Sequence, residues 1–244
     1  MRNKTLRSVP ALVLIVILAA AGVVTIYAGD YYRADETAIE AWKTNEMVKV
    51  FQMSQNQQVF YPKSPEAGLI FYPGGKVEFS AYAPLMQEFS ARGILCIVVK
   101  MPLNLAVLDV DAAGGVAEAF PEITKWYIGG HSLGGSMAAS YAADNPDKFD
   151  GLILLAAYST ADLTETGLQV ISIYGSADEV INREKYEQYR DNLPESTVEV
   201  VIEGGNHGAF GSYGHQEGDG KLLIEPSAQR TITADQLEKI IKEQ

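Results

Sequence analysis

The chain has 244 residues, 47% of them apolar and 20% charged, with a formal net charge of −12. That composition supports one core of ordinary size and excludes a disordered or low-complexity protein. Every acidic residue lies at or after Asp30, while Arg2, Lys4 and Arg7 precede it, so the body from Asp30 onward is three units more negative than the whole, at −15; such a surface excludes nucleic acid and anionic lipid as partners.

Along the chain, the first feature is an uncharged run from Val9 to Ala28. As a helix it would span about 30 Å, the thickness of a bilayer's hydrocarbon core. Tyr27, Tyr31 and Tyr32 stand at its far end, where interfacial aromatics are expected. Positive charge before the run and acid after it place the N-terminus in the cytoplasm and the body outside the cell membrane. A retained single-pass anchor is expected; the alternative is a signal segment cleaved after the alanines at 19–21, with secretion of the body. The expected organisation is a tip and anchor at 1–29, a juxtamembrane segment at 30–45 and one folded domain at 46–244.

From residue 46 the chain alternates between strands and helices. Residues 48–62 predict an initial pair of strands, and 67–72 a short apolar strand ended by Pro and Gly. Tyr82, Leu85, Met86 and Phe89 have helical spacing, with Gly93 as the stop. Residues 94–100 predict a strand, 105–121 a mostly helical connection, and 125–131 a further strand. A helix rich in small residues follows, then strands at 149–158 and 168–176, a helix at 183–193 stopped by Pro194, a strand at 197–203, and a terminal helix N-capped by Thr233. The central strands lack apolar–polar alternation, which implies a sheet covered on both faces. Alternating order implies a doubly wound, mostly parallel α/β fold. Cys96, the single cysteine, falls in an apolar strand and predicts a buried, inert thiol.

The run Gly129–Ser136, GGHSLGGS, lies between a predicted strand and a predicted helix. As a phosphate loop it lacks the lysine, which is Gly135 here. As G-x-S-x-G, spanning Gly130 to Gly134, it predicts a sharp strand-to-helix turn that exposes Ser132. A serine hydroxyl needs a base. Of the three histidines, His131 adjoins the serine and is expected to point away, His207 follows the last strand, and His215 lies further along the same loop as an alternative base. The base needs an acid to orient it. Asp178, in the loop after the strand ending at Gly175, is the first candidate, and Asp162 and Glu179 are the rivals. An oxyanion hole would combine the N–H of Leu133 with one from the loop Pro73–Lys76, either Gly75 or Lys76. No metal is implied: the run at Asp109–Asp111 lacks the third acidic position of a calcium loop, which is Ala113, and no His/Cys cluster has zinc spacing.

These motifs — YPGG, GGHSLGG, GSADEV and GGNHGAFG — resemble the α/β-hydrolase superfamily over residues 46–244, close in size to its dienelactone-hydrolase-like and small carboxylesterase branches. The resemblance implies a Ser132, Asp178, His207 triad and no cofactor. The nucleophile is serine where dienelactone hydrolases carry cysteine, and PGGK stands where lipase-like members carry HGGG. The short segment after the strand at 149–158 implies an open site without a lid. The expected activity is that of a membrane-anchored serine hydrolase acting on small acyl esters. The alternatives are acyl transfer or thioester hydrolysis with the same residues, or a non-catalytic hydrolase-like binding domain.

Overall fold

A computed structural model describes residues 30–243, together with isolated positions before them (13, 14, 22, 27 and 29). The chain divides into two units, Met1–Tyr31 and Tyr32–Gln244. The anchor expected at 9–28 lies outside the described residues apart from those isolated positions. Among the described residues no helix is long and apolar enough to cross a membrane.

The second unit is built on one sheet of eight strands: β1 (Val48–Ser54), β2 (Gln57–Pro62), β3 (Ala67–Tyr72), β4 (Ile94–Val99), β5 (Trp126–His131), β6 (Gly151–Leu155), β7 (Gln169–Gly175) and β8 (Val198–Ile202). Their spatial order is β1-β2-β4-β3-β5-β6-β7-β8. β1, β2 and β4 pair antiparallel, and from β4 across to β8 all neighbours are parallel. The helices are α1 (Glu36–Ala41), α2 (Ala83–Ala91), α3 (Leu133–Asp144), α4 (Arg183–Gln188) and α5 (Pro226–Lys242).

The missing alternation in the central strands has a direct cause. Leu69 and Phe71 of β3 pack on one side with Leu85, Met86 and Phe89 of α2 and Leu237 and Ile241 of α5. Ile70 and Tyr72 of the same strand pack on the other with Ala138, Ala139 and Ala142 of α3. Each strand residue therefore loses water whichever way it points, and only apolar side chains gain from that. The small residues of α3 let its backbone lie close to the sheet.

The order in which strands are added reverses at β3. From β3 the chain passes through α2 to β4 on one side; β5, α3 and β6 continue on the other side with the helix on the opposite face. In open α/β sheets ligands sit at the carboxyl ends of the strands where the order reverses. The loop 73–76 and Ser132 both lie at that point.

Three elements differ from expectation. Residues 105–121 form short 3₁₀ turns at Ala106–Leu108 and Ala117–Ala119 rather than a continuous helix. The paired glycines 114 and 115, the second with φ +74°, interrupt it, since each interior glycine costs a helix about 1 kcal/mol. The terminal helix starts at Pro226 after Glu225, two turns before Thr233. Thr233 is buried inside it and donates from Oγ1 to the Gln229 carbonyl; Pro226, with its preset φ, is the start signal. The segment 30–45, read as juxtamembrane, packs onto the domain from Tyr32 onward. Tyr32 pairs with the loop after β3, donating to the Lys76 carbonyl (2.7 Å) and accepting from Glu78 N–H (2.9 Å). Ala38 of α1 is fully buried, and Trp42 meets Phe60 and Phe79 edge-on at 5.8 and 5.2 Å.

Candidate active site

β5 runs into α3 through Ser132, which holds φ 52° and ψ −123°. That region is sparsely populated by residues with side chains. The surrounding backbone leaves no alternative: a Cβ on Gly134 would sit 2.2 Å from both the Tyr72 and Pro73 carbonyl oxygens, and one on Gly130 2.5 Å from Tyr72 O. Ser132 N–H is held by the Leu155 carbonyl (2.9 Å). The residue is half-buried, and its hydroxyl makes no hydrogen bond among the described residues.

His207, whose ring lies 4.5 Å from that of His131 beside this turn, and Asp178 form a pair of side chains that are 1% and 0% exposed, with Nδ1 and Oδ2 2.9 Å apart. Asp178 Oδ1 accepts the N–H groups of Val180 and Ile181, both at 2.9 Å. The carboxylate is thereby fixed in rotation, and a carboxylate acceptor holds the imidazole proton on Nδ1, leaving Nε2 free to act as a base. The loops carrying the two residues are locked together by the Ala177 N–H donating to Gly205 O (2.8 Å), while a Cβ on Gly175 would lie 2.2 Å from the Gly205 carbonyl.

The competing candidates stand elsewhere. Asp162 is exposed and accepts from the N–H (3.0 Å) and hydroxyl (2.7 Å) of Thr164 in its own turn, bonds that also draw its pKa below the ordinary value. Glu179 is exposed. His215 is exposed and lines a cavity behind the His207 loop.

In the loop after β3, Gly74 N–H donates to Tyr82 Oη (2.9 Å) and Lys76 N–H to Asn104 O (2.8 Å). Lys76 therefore has no free main-chain donor, and its place as an alternative oxyanion donor is lost. The Gly75 N–H has no protein partner among the described residues. Gly75 adjoins Leu133: an added Cβ would be 3.1 Å from Leu133 Cδ2. Leu133 begins α3, where main-chain N–H groups are unpaired by the helix itself.

His131 departs from expectation. Its ring does not turn away but packs on His207 with centroids 4.5 Å apart. Nδ1 meets the Tyr82 hydroxyl at 2.8 Å. Nε2 faces the main chain of His207 without closing a hydrogen bond. Burial pushes its pKa well below 6.5, and neighbouring His207 adds to the effect. A neutral His131 accepting at Nδ1 lets Tyr82 donate to it while accepting from Gly74, so one hydroxyl ties the loop after β3 to the turn at Ser132.

Further supporting residues escaped the sequence reading. Asp219 accepts from the N–H groups of His207 (3.2 Å), Gly208 (2.8 Å) and Gly220 (2.8 Å). Asn206 is clamped by fully buried Gln229, which accepts from Asn206 N–H (3.0 Å) and donates to its carbonyl (2.8 Å). The flanking glycines of Asp219 were the available signal of a loop-capping carboxylate. Nothing local marks Gln229, because its partner is 23 residues away.

A doubly wound sheet with a serine at a strained strand–helix turn, and a histidine–aspartate pair at the ends of later strands, defines an α/β-hydrolase architecture. A family model described as "Alpha/beta hydrolase family" matches residues 68–231, and the chain belongs to that family. Two solved structures share the fold. One, described as a predicted CIB-like hydrolase from Thermoplasma acidophilum, is 15% identical, with a TM-score of 0.57 over 79% of this chain and 98% of its own. The other, TT1662 from Thermus thermophilus, is 15% identical, with a TM-score of 0.61 over 80% of this chain and 98% of its own. No curated protein sequence matches the chain.

The buried position of His131 gives a pH expectation. Its folded-state pKa is lowered, so the ring stays neutral where an unfolded histidine would take up a proton, and its contribution to stability declines as pH falls below 6.5. Its ring resonance in NMR spectra should keep the neutral position from about pH 8 to about pH 5, below the usual histidine range. A shift with a midpoint near 6.5 would contradict the burial and pairing described here.

Proposed function

We propose that the protein is a serine hydrolase of carboxylic esters, with Ser132 as nucleophile, His207 as base and Asp178 as the orienting acid. The observation that carries this reading is the buried Asp178–His207 pair, whose imidazole packs on His131 next to the strained turn at Ser132. Ser132 Oγ attacks the acyl carbon while His207 Nε2 takes its proton. Charge forming on the carbonyl oxygen is received by the N–H groups of Leu133 and Gly75, both unengaged and adjacent. Collapse expels the alcohol, which takes the proton from His207. Water, deprotonated by the same nitrogen, then releases the acid and restores Ser132. The residues 156–168 between β6 and β7 form turns without a helix, which suits an open site taking small esters.

The two aspartates separate this reading from its rivals. Asp178→Asn should leave the protein folded and reduce kcat for a small ester about 10⁴-fold, the scale for a triad whose histidine is held in the wrong tautomer. Asp162→Asn should leave turnover within a few-fold of wild type, because its carboxylate serves only its own turn. Steady-state kinetics on both variants checks this, and the reverse pattern would move the acid to Asp162.

We further propose that residues 9–28 anchor the chain in the cell membrane with the catalytic unit outside the cytoplasm. The uncharged run, and the three cations before it, support this. Full-length protein should stay with the membrane fraction through an alkaline carbonate wash. Recovery in the soluble fraction with a new N-terminus at Gly22 would instead mark a cleaved signal.

A further inference from the structure

A cavity of about 740 Å³ lies behind the His207 loop, between that loop and the start of α5. Its lining includes Gly208, Lys221, Ser227 and Arg230 but neither Ser132 nor Leu133, so it is separate from the Ser132 turn. Arg230 is only 6% exposed. Among the described residues its guanidinium has no hydrogen-bond or ion-pair partner. Its nitrogens are not among the fully buried unpaired atoms, so the guanidinium opens onto the cavity while little of the residue meets bulk water. Burial draws its pKa below the ordinary guanidinium value; Asp35 and Glu88 act against this from a distance, and neither forms an ion pair with it.

The cavity's carboxylates do not neutralise Arg230. Asp35 Oδ1 caps α1 by accepting from Ala38 N–H. Both oxygens of Asp219 are committed to main-chain N–H groups. Glu225 is exposed and makes no cap bond with its side chain. The cavity also meets the first turn of the 17-residue helix α5, where Ser227 N–H has no partner among the described residues. Ser227 and Arg230 lie three apart, on one face of the helix. The positive end of the helix and the guanidinium fork thus converge on the same space.

We propose that this cavity binds a small-molecule oxyanion, a carboxylate or phosphate, between the Arg230 guanidinium and the Ser227 N–H. An anion there completes the missing ion pair and the uncapped helix end together. The remaining volume leaves room for a molecule larger than the oxyanion itself.

Calorimetric titration of the full-length chain with inorganic phosphate, and separately with acetate, at constant ionic strength tests this. Saturable one-site binding of at least one of them is expected, and comparison of the two arms assigns the class. Arg230→Gln should weaken binding at least tenfold. Ser227→Asp should do the same while keeping the fold, since a carboxylate in the first turn favours the helix and repels the ligand. Ser132→Ala should bind as wild type does, which separates this site from the catalytic one. Absence of saturable binding for both anions, wild-type affinity in either Arg230→Gln or Ser227→Asp, or loss of binding in Ser132→Ala would overturn the proposal.

Discussion

Ser132 occupies a backbone conformation that costs a residue with a side chain on the order of 1–3 kcal/mol. It is kept there by the close approach of α3 to the end of β3, where Gly134 meets the carbonyls of Tyr72 and Pro73 with no space for a Cβ. The same approach sets Gly75 beside Leu133. One packing constraint therefore fixes the turn at Ser132 and sets Gly75 beside Leu133, two residues whose N–H groups have no partner among the described residues. The flat apolar faces of β3 and β5 make the constraint rigid, because their side chains are buried on both sides and cannot yield without opening the core.

Around that turn the protein places a shell of hydrogen bonds rather than further reactive groups. Tyr82 joins Gly74 to His131, and Asn104 holds Lys76. Tyr32, from the strap preceding the domain, pairs with the same loop at Lys76 and Glu78. Asp219 and Gln229 hold the loop of His207 from behind. Each fixes a main-chain segment, and side chains near a reacting centre gain most from such fixing.

The strained turn at Ser132 and the loops that pair Asp178 with His207 were legible because each sits beside a strand end marked by glycine, and backbone geometry there depends on local sequence. The strands of the parallel sheet were legible as unbroken apolar runs. What escaped reading depends on distant partners. Tyr82 looks like one apolar position of an amphipathic helix, and only the folded sheet brings His131 to its hydroxyl. The residues 105–121 carry helical spacing, but the glycines at 114 and 115 outweigh it. Thr233 is a good cap by type, yet Pro226 starts the helix earlier, and the threonine spends its hydroxyl on the previous turn. Lys76 and Gly75 are equal candidates in sequence, and the carbonyl of Asn104 distinguishes them.

The central claim is that Ser132 alone, activated by His207, becomes covalently acylated. Incubation of the purified chain with a fluorophosphonate, followed by digestion and peptide mass spectrometry, tests it most directly. The account predicts a single adduct, confined to the peptide containing Ser132. A folded protein that takes up no label, or takes it up at another residue, would contradict it.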